Sequence, residues 1–306
     1  MNRAGVDRYA VTDGRVLTDG VELVVTHHCN LRCRACAYLA PVRPAEMVSA
    51  DGLREDLRVL GRHYHAAEGR VLGGEPLLHP ELVRLLHVIR ESGICDEIRV
   101  ITNGALLLRQ GTSFWQAVDA VSVSMHPGRA LAGDAVPRLE ATAWRHGVRI
   151  NFKPFRYFRE SYSEPGTSDL ALVRRIYRTC QMAHVWRCHT VWNRWLFRCP
   201  QSLFLPTLLR DGEQDRRIDG LPLTEAAGFL DDLLTFLQAV KPLWSCRHCL
   251  GSVGTLFENQ QVPRNAWRDP QRRPTEDLVD WEHLISLEAN PGMFVPDASY
   301  LTQPHQ

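Results

Sequence analysis

VELVVTHHCNLRCRAC, residues 21–36, runs from a short β-rich segment straight into a loop that carries three cysteines. Val21 to Thr26 reads as a strand, and Cys29, Cys33 and Cys36 follow it at C-x3-C-x2-C spacing. Three thiolates on one tight loop can hold three irons of a 4Fe-4S cluster and leave the fourth iron open to an exogenous ligand. A zinc knuckle is the competing reading. It would want a second, distant cysteine pair or a nearby fourth ligand, which His27 or His28 could supply.

Downstream of this loop, β-rich runs alternate with helical patterns. Further strands are expected at Arg70 to Leu72, Glu97 to Thr102, Val118 to Ser124 and Val148 to Phe152. One helix has Ser49 as N-cap with Leu53, Leu57 and Leu60 on one face; another is opened by Pro80 and closed by Gly93. Repeated at βαβ spacing, these units predict a parallel sheet wrapped by helices, closing into a full or partial barrel. The reactive groups of such a barrel belong on the loops after its strands. After about Tyr162 the character changes: Ser161 to Asp169 is rich in Ser, Pro and Gly, and a helix ends near Cys180. The aromatic run from His184 to Cys199 reads as a hairpin turning at Asn193-Arg194. Thr224 is placed to cap an apolar helix through about Val240, and the last forty or so residues read as a surface-wrapping tail with one acidic helix around Thr275 to Leu287.

The 306 residues, 44% hydrophobic and 23% charged, suffice for a substantial core, and 36 Lys plus Arg against 35 Asp plus Glu leave a charge of +1. No field of one sign recruits nucleic acid, and no run approaches the roughly 18 apolar residues of a membrane span. The polar start lacks a signal-peptide core, so a cytoplasmic protein is expected. Nine cysteines in a reducing compartment point to metal or redox chemistry rather than disulfides.

With the cysteine loop, GGEP at Gly73 to Pro76 and ITNG at Ile101 to Gly104 in this order, the first 155 or so residues resemble the radical SAM superfamily. The resemblance implies an α/β fold with a partial (β/α)6 TIM-like barrel over residues 1–163. It also implies a 4Fe-4S cluster on Cys29, Cys33 and Cys36 whose open iron takes the amino and carboxylate groups of S-adenosylmethionine (SAM). By position, Gly73, Gly74 and Glu75 would receive the methionine amino group, and Asn103 and Ser124 would lie near the ribose or carboxylate. Ala35 departs from the family, which usually has an aromatic residue before the third cysteine; Tyr38 would help cover the adenine instead.

Cys180, Cys188, Cys199, Cys246 and Cys249 form a second group. A cysteine-bearing hairpin, a helix and a C-x2-C pair resemble the twitch domain, a shortened SPASM domain. This implies a small α+β module at 164–260 holding an auxiliary 4Fe-4S cluster, followed by a C-terminal extension at 261–306. One cubane takes four thiolates, which leaves one over. Either Cys180, Cys199, Cys246 and Cys249 ligate with Cys188 spare, or Cys180, Cys188, Cys199 and Cys246 ligate and Cys249 stays a free thiol. A spare thiol beside an auxiliary cluster resembles the radical SAM epimerases of aminoglycoside biosynthesis, in which the thiol would return hydrogen to a substrate radical. In that reading Cys249 is the donor and Cys188 its runner-up. The resemblance further implies a small aminoglycoside substrate and an electron donor such as flavodoxin or ferredoxin, without nucleic-acid or membrane partners. The acidic stretches Asp211 to Asp219 and Glu276 to Glu288 would suit a polycation. An alcohol-oxidising or peptide-modifying radical SAM enzyme, and a non-enzymatic iron–sulfur or metal module, are the competing readings. Cys95 reads as a buried apolar cysteine, and His79 as a helix-end residue.

Overall fold

The computed structural model describes residues 9–127, 131, 133–210 and 217–290. Its strands are β1 (Val11–Thr12), β2 (Arg15–Thr26), β3 (Tyr64–Gly73), β4 (Cys95–Thr102), β5 (Ala120–Met125), β6 (Arg149–Pro154), β7 (Tyr157–Arg159), β8 (His189–Trp192), β9 (Trp195–Phe197), β10 (Gly220–Pro222) and β11 (Leu256–Glu258). The helices are α1 (Ala50–Leu60), α2 (Leu82–Ser92), α3 (Thr112–Ala117), α4 (Ala135–Arg145), α5 (Leu170–Arg178), α6 (Gln181–His184), α7 (Pro200–Leu209), α8 (Phe229–Gln238), α9 (Thr275–Leu278) and α10 (Trp281–Ala289).

The expected parallel sheet is present. Strands β8, β2, β3, β4, β5 and β6 lie side by side and parallel, and the sheet stays open, with β6 at one end and β10 at the other. The fold is α/β, a partial TIM-like barrel. Alternation along β2 sets its two faces: Val21, Leu23 and Val25 join the core under the helices, whereas Glu22, Val24 and Thr26 point to the other side. Ser49 caps α1 by accepting from Gly52 N at 3.0 Å, and Leu53, Leu57 and Leu60 are its buried face. Each such leucine contributes about 1.5–3 kcal/mol by leaving water. Gly93, at φ 61°, closes α2.

Several boundaries differ from the sequence reading. Strand β3 begins at Tyr64 rather than Arg70, because its inward positions carry Glu68 and Arg70, an ion pair that breaks the apolar pattern (2.9 Å). Helix α8 begins at Phe229, not after Thr224: Leu223 N is still bonded to Arg194 O at 2.8 Å, which keeps the chain on the hairpin. The acidic helix of the tail is two helices, because Val279 bridges to Gly254 and Asp280 caps α10 through His283 N at 3.0 Å. The hairpin does turn at Asn193 and Arg194, whose φ values of 43° and 71° are those of a two-residue turn. It joins the barrel sheet itself through β8 against β2. Among the described residues no helix is long and apolar enough to cross a membrane.

Candidate functional site

Strand β2 delivers the cysteine loop to one end of the sheet. Cys33 is buried and Cys29 and Cys36 half-buried, all within electrostatic reach of one another. Burial pushes the Cys29 and Cys33 thiols up to about 12 and raises Cys36 as well. Donors already point at the sulfurs: Leu31 N lies 3.4 Å from Cys29 Sγ, and Gln261 Nε2 lies 3.0 Å from Cys33 Sγ. Buried thiols supplied with N–H donors suit thiolates whose charge is carried by bound iron, so the trio fits the open-iron cluster. Among the described residues no three His, Cys, Asp or Glu side chains converge tightly enough to cage a single metal ion. A cubane puts each thiolate on a separate iron and asks for wider spacing.

The two glycines after β3 are required by space. A Cβ on Gly73 would meet Thr26 O at 2.1 Å, and one on Gly74 would meet His28 O at 2.0 Å. In their place Gly74 N donates to Thr26 O (2.7 Å) and Glu75 N to His28 O (2.8 Å), which clamps GGEP to the start of the cysteine loop. Glu75 is wholly buried and accepts from Thr102 Oγ1 (2.6 Å), Leu77 N (3.0 Å) and Asn103 N (2.8 Å). Three of about four acceptor positions are thus filled. Glu75 is a strut between the ends of β3 and β4, with about one acceptor position left over. Asn103 reaches the cysteine loop, donating to Asn30 Oδ1 at 2.7 Å with its amide 4.0 Å from Cys29 Sγ. Ser124, half-buried, stands near the end of β5. Tyr38 does not lie at the rim: its ring meets Phe204 edge-on at 5.4 Å and its hydroxyl donates to Glu22 at 3.2 Å.

Glu22 is a group the sequence reading passed over, although a lone carboxylate inside VELVV was its signal. It also accepts from Thr190 Oγ1 at 3.2 Å, and burial raises it to about 7. Cys188 hydrogen-bonds Glu22. Cys180, Cys199, Cys246 and Cys249 instead line one small cavity of about 40 Å³, and Cys249 is within electrostatic reach of the other three. Cys188 is off that lining, although Cys199 is within its electrostatic reach. Cys249 has a second neighbourhood, packing against the apolar cluster of Val24, Leu39, Leu72 and Tyr162 that Cys36 and Tyr38 also flank. Burial raises both Cys188 and Cys249 well above the ordinary thiol value.

Within the acidic stretches, three carboxylates already have protein partners. Residues 211–216 lie outside the described residues; Asp219 accepts from Trp244 N (2.8 Å) and Ser245 N (2.7 Å), holding the turn that bears Cys246. Glu276 accepts from Thr167 Oγ1 (2.6 Å), and Glu288 is paired with Arg175 (2.8 Å). His79 Nε2 meets Val48 O at 2.9 Å and its Nδ1 accepts from Glu81 N, a helix-entry role. Cys95 packs half-buried against the main core.

Residues 23–168, a little under half of the chain, match the family model of the Radical SAM superfamily. That family implies a 4Fe-4S cluster and SAM. The chain is similar to the GTP 3',8-cyclase of Chlorobaculum tepidum, 34% identical over 129 residues, 41% of this chain and 38% of the relative. It is similar also to that of Xanthomonas campestris pv. campestris, 36% identical over 131 residues, 39% of this chain and 35% of the relative. The chain thus spans under two fifths of the length of these curated relatives. Among solved structures it is similar to BtrN in complex with AdoMet and 2-DOIA, at 16% identity, covering 74% of this chain and 84% of that chain, with a TM-score of 0.41.

Proposed function

We propose that this chain is a radical SAM epimerase of an aminoglycoside, inverting the aminomethyl-bearing carbon of the terminal sugar of neomycin C to give neomycin B. The observation that carries this reading is the position of Cys249, which lines the four-thiol cavity on one side and the apolar cluster flanked by Cys36 and Tyr38 on the other. A hydrogen donor must reach the reacting carbon and also an electron source that restores it. When bound, SAM and its cluster supply a 5'-deoxyadenosyl radical that removes one hydrogen atom from the substrate carbon. Cys249 then gives its S–H hydrogen to the opposite face, and the sulfur radical so formed takes up one electron and one proton to become a thiol again. Burial keeps Cys249 protonated at neutral pH, as hydrogen-atom donation requires.

In this reading Cys180, Cys188, Cys199 and Cys246 hold an auxiliary 4Fe-4S cluster, charged by a carrier such as flavodoxin or ferredoxin. The cavity lining favours a second arrangement, in which Cys249 completes the ligand set and Cys188, facing Glu22, is the donor. Iron counting separates them: the true donor, changed to serine, leaves about eight irons per chain, whereas loss of a ligand lowers the count. GTP chemistry, as in the names of the relatives, is less favoured, because Arg70 and Arg99 on the inner strand faces are already paired with Glu68 (2.9 and 2.5 Å).

Neomycin C is incubated anaerobically with reconstituted protein, SAM and reductant in deuterated water, and the product is weighed. A gain of one mass unit with 5'-deoxyadenosine formed supports delivery of hydrogen by an exchangeable thiol. A loss of two would mean oxidation and would reject epimerisation. An unchanged neomycin C, together with consumption of GTP in a parallel incubation supplied with that nucleotide, would reject the aminoglycoside.

A further inference from the structure

The cysteine loop is held in a conformation it would not choose alone. Ala35 and Leu39 sit at φ 49° and 52°, left-handed backbone that costs a non-glycine residue on the order of 1–2 kcal/mol. A distant segment, residues 259–267, is laid over Arg32, Cys33 and Arg34 of the same loop as a strap. Cys33 and Gln261 form an isolated antiparallel bridge, flanked by Arg34 N to Gln260 O and Val262 N to Arg32 O, both 2.9 Å. The fully buried Trp267 donates from Nε1 to Cys33 O at 2.8 Å and stacks on Tyr162. Asn259 fastens the strap to the barrel by donating to Phe155 O at 2.8 Å.

Within this bridge the Gln261 amide is used at both ends. Its Oε1 accepts from Arg32 N at 2.5 Å, and its Nε2 donates to Cys33 Sγ at 3.0 Å. The other two sulfurs are served chiefly from nearby: Cys29 by Leu31 N, and Cys36 by the backbone of Tyr38, Leu39 and Ala40. Among the described residues, only Cys33 has a close donor from 228 residues away. His126 Nδ1 lies 3.6 Å from the same sulfur, but it accepts from Asn259 Nδ2 at 3.0 Å, so it has no N–H to offer a thiolate. Gln261 is therefore the side-chain donor to Cys33 once its proton is lost.

Hydrogen bonds to cluster sulfurs stabilise the more negative, reduced state. We propose that Gln261 is a positioning residue that sets the potential of the site on the cysteine loop: its N–H on Cys33 Sγ makes a cluster there easier to reduce. The proposal rests on reading Cys29, Cys33 and Cys36 as the cluster ligands.

The test uses the full chain, reconstituted, as wild type, Gln261→Leu, Gln261→Glu and Trp267→Phe. Iron is counted, and the midpoint of the SAM-responsive cluster signal is followed by EPR-monitored redox titration. Gln261→Leu is expected to keep wild-type iron and to be about tenfold less reduced at a given potential, a midpoint about 59 mV lower. Gln261→Glu, with a carboxylate facing the sulfur, should fall further. Trp267→Phe loosens the strap without removing the sulfur's donor and should leave the midpoint in place. An unmoved midpoint in Gln261→Leu at full iron overturns the proposal, as does an equal shift in Trp267→Phe, which would make the strap only a brace. A wild type with no SAM-responsive cluster would defeat the underlying reading of the loop, and is distinguished by that control alone.

Discussion

Replacing Glu75 by Gln changes one atom type in a fully enclosed site. The carboxylate holds Thr102 Oγ1 and Leu77 N on Oε1 and Asn103 N on Oε2. An amide can match only one of these two positions. If its NH2 takes the Oε2 place it confronts Asn103 N–H; if it takes the Oε1 place it confronts Leu77 N–H. Loss of a charge-assisted bond costs about 1.5–3 kcal/mol and an orphaned N–H about 1–3 kcal/mol. Removing a carboxylate whose burial already disfavours its charge recovers part of this, so the net is about 2 kcal/mol. For a chain of this size that is a fall in Tm of about 3 °C. Glu81→Gln is the control: the same atoms change at a half-exposed surface pair with Arg84, worth well under 1 kcal/mol. Differential scanning fluorimetry at pH 7 reads both. Because Asn103 also reaches Asn30 beside Cys29, Glu75→Gln should retain less iron after reconstitution. Equal melting temperatures for the two variants would refute the strut.

Further expectations follow from the same geometry. Gly74→Ala drives a Cβ into His28 O and should destabilise by about 3 kcal/mol or more with loss of cluster loading, whereas Gly93→Ala, with open space around it, costs about 1 kcal/mol; urea unfolding ranks them. Asp56 is raised by burial to about 6 from an unfolded value near 3.8, so between these limits the folded state binds the extra proton and stability rises as pH falls. Wild type should therefore gain about 1.4 kcal/mol over Asp56→Asn on going from pH 7 to pH 5; parallel melting curves would contradict the assignment. Cys33→Ser should lose about four irons per chain by inductively coupled plasma analysis and abolish cleavage of SAM.

Much of the site was legible because it is local. The cysteine spacing, GGEP and ITNG each lie within a few residues, and each falls where a strand ends. The hairpin at Asn193-Arg194 was readable for the same reason, since the turn chemistry sits in two residues. What escaped the sequence is carried by long-range pairing. Nothing near Gln261 announces that it will bridge Cys33, and nothing in HTVW says that it will lie parallel to β2. Glu22, Glu68 and Arg70 interrupt apolar runs, so β3 reads as three residues when ten form it. Their charges are tolerated because they pair or bond across the inner face, which periodicity cannot display. The split between Cys188 and Cys249 was likewise open, because thiols on a hairpin and on a C-x2-C turn are brought to Cys199 only by tertiary packing.

The position of β2 between β3 and β8 also sets a timetable for biosynthesis. The strand that carries the cysteine loop is paired early on one side, by a neighbour forty residues downstream, but its other edge waits for His189–Trp192. At ribosomal rates of 5–20 residues per second, that edge stays bare for roughly 10–30 s after Thr26 emerges. The strap that bridges Cys33 arrives later still. Iron delivered before then would meet a loop with its thiols present and its distant supports missing, so cluster insertion belongs after the strap has been made and seated.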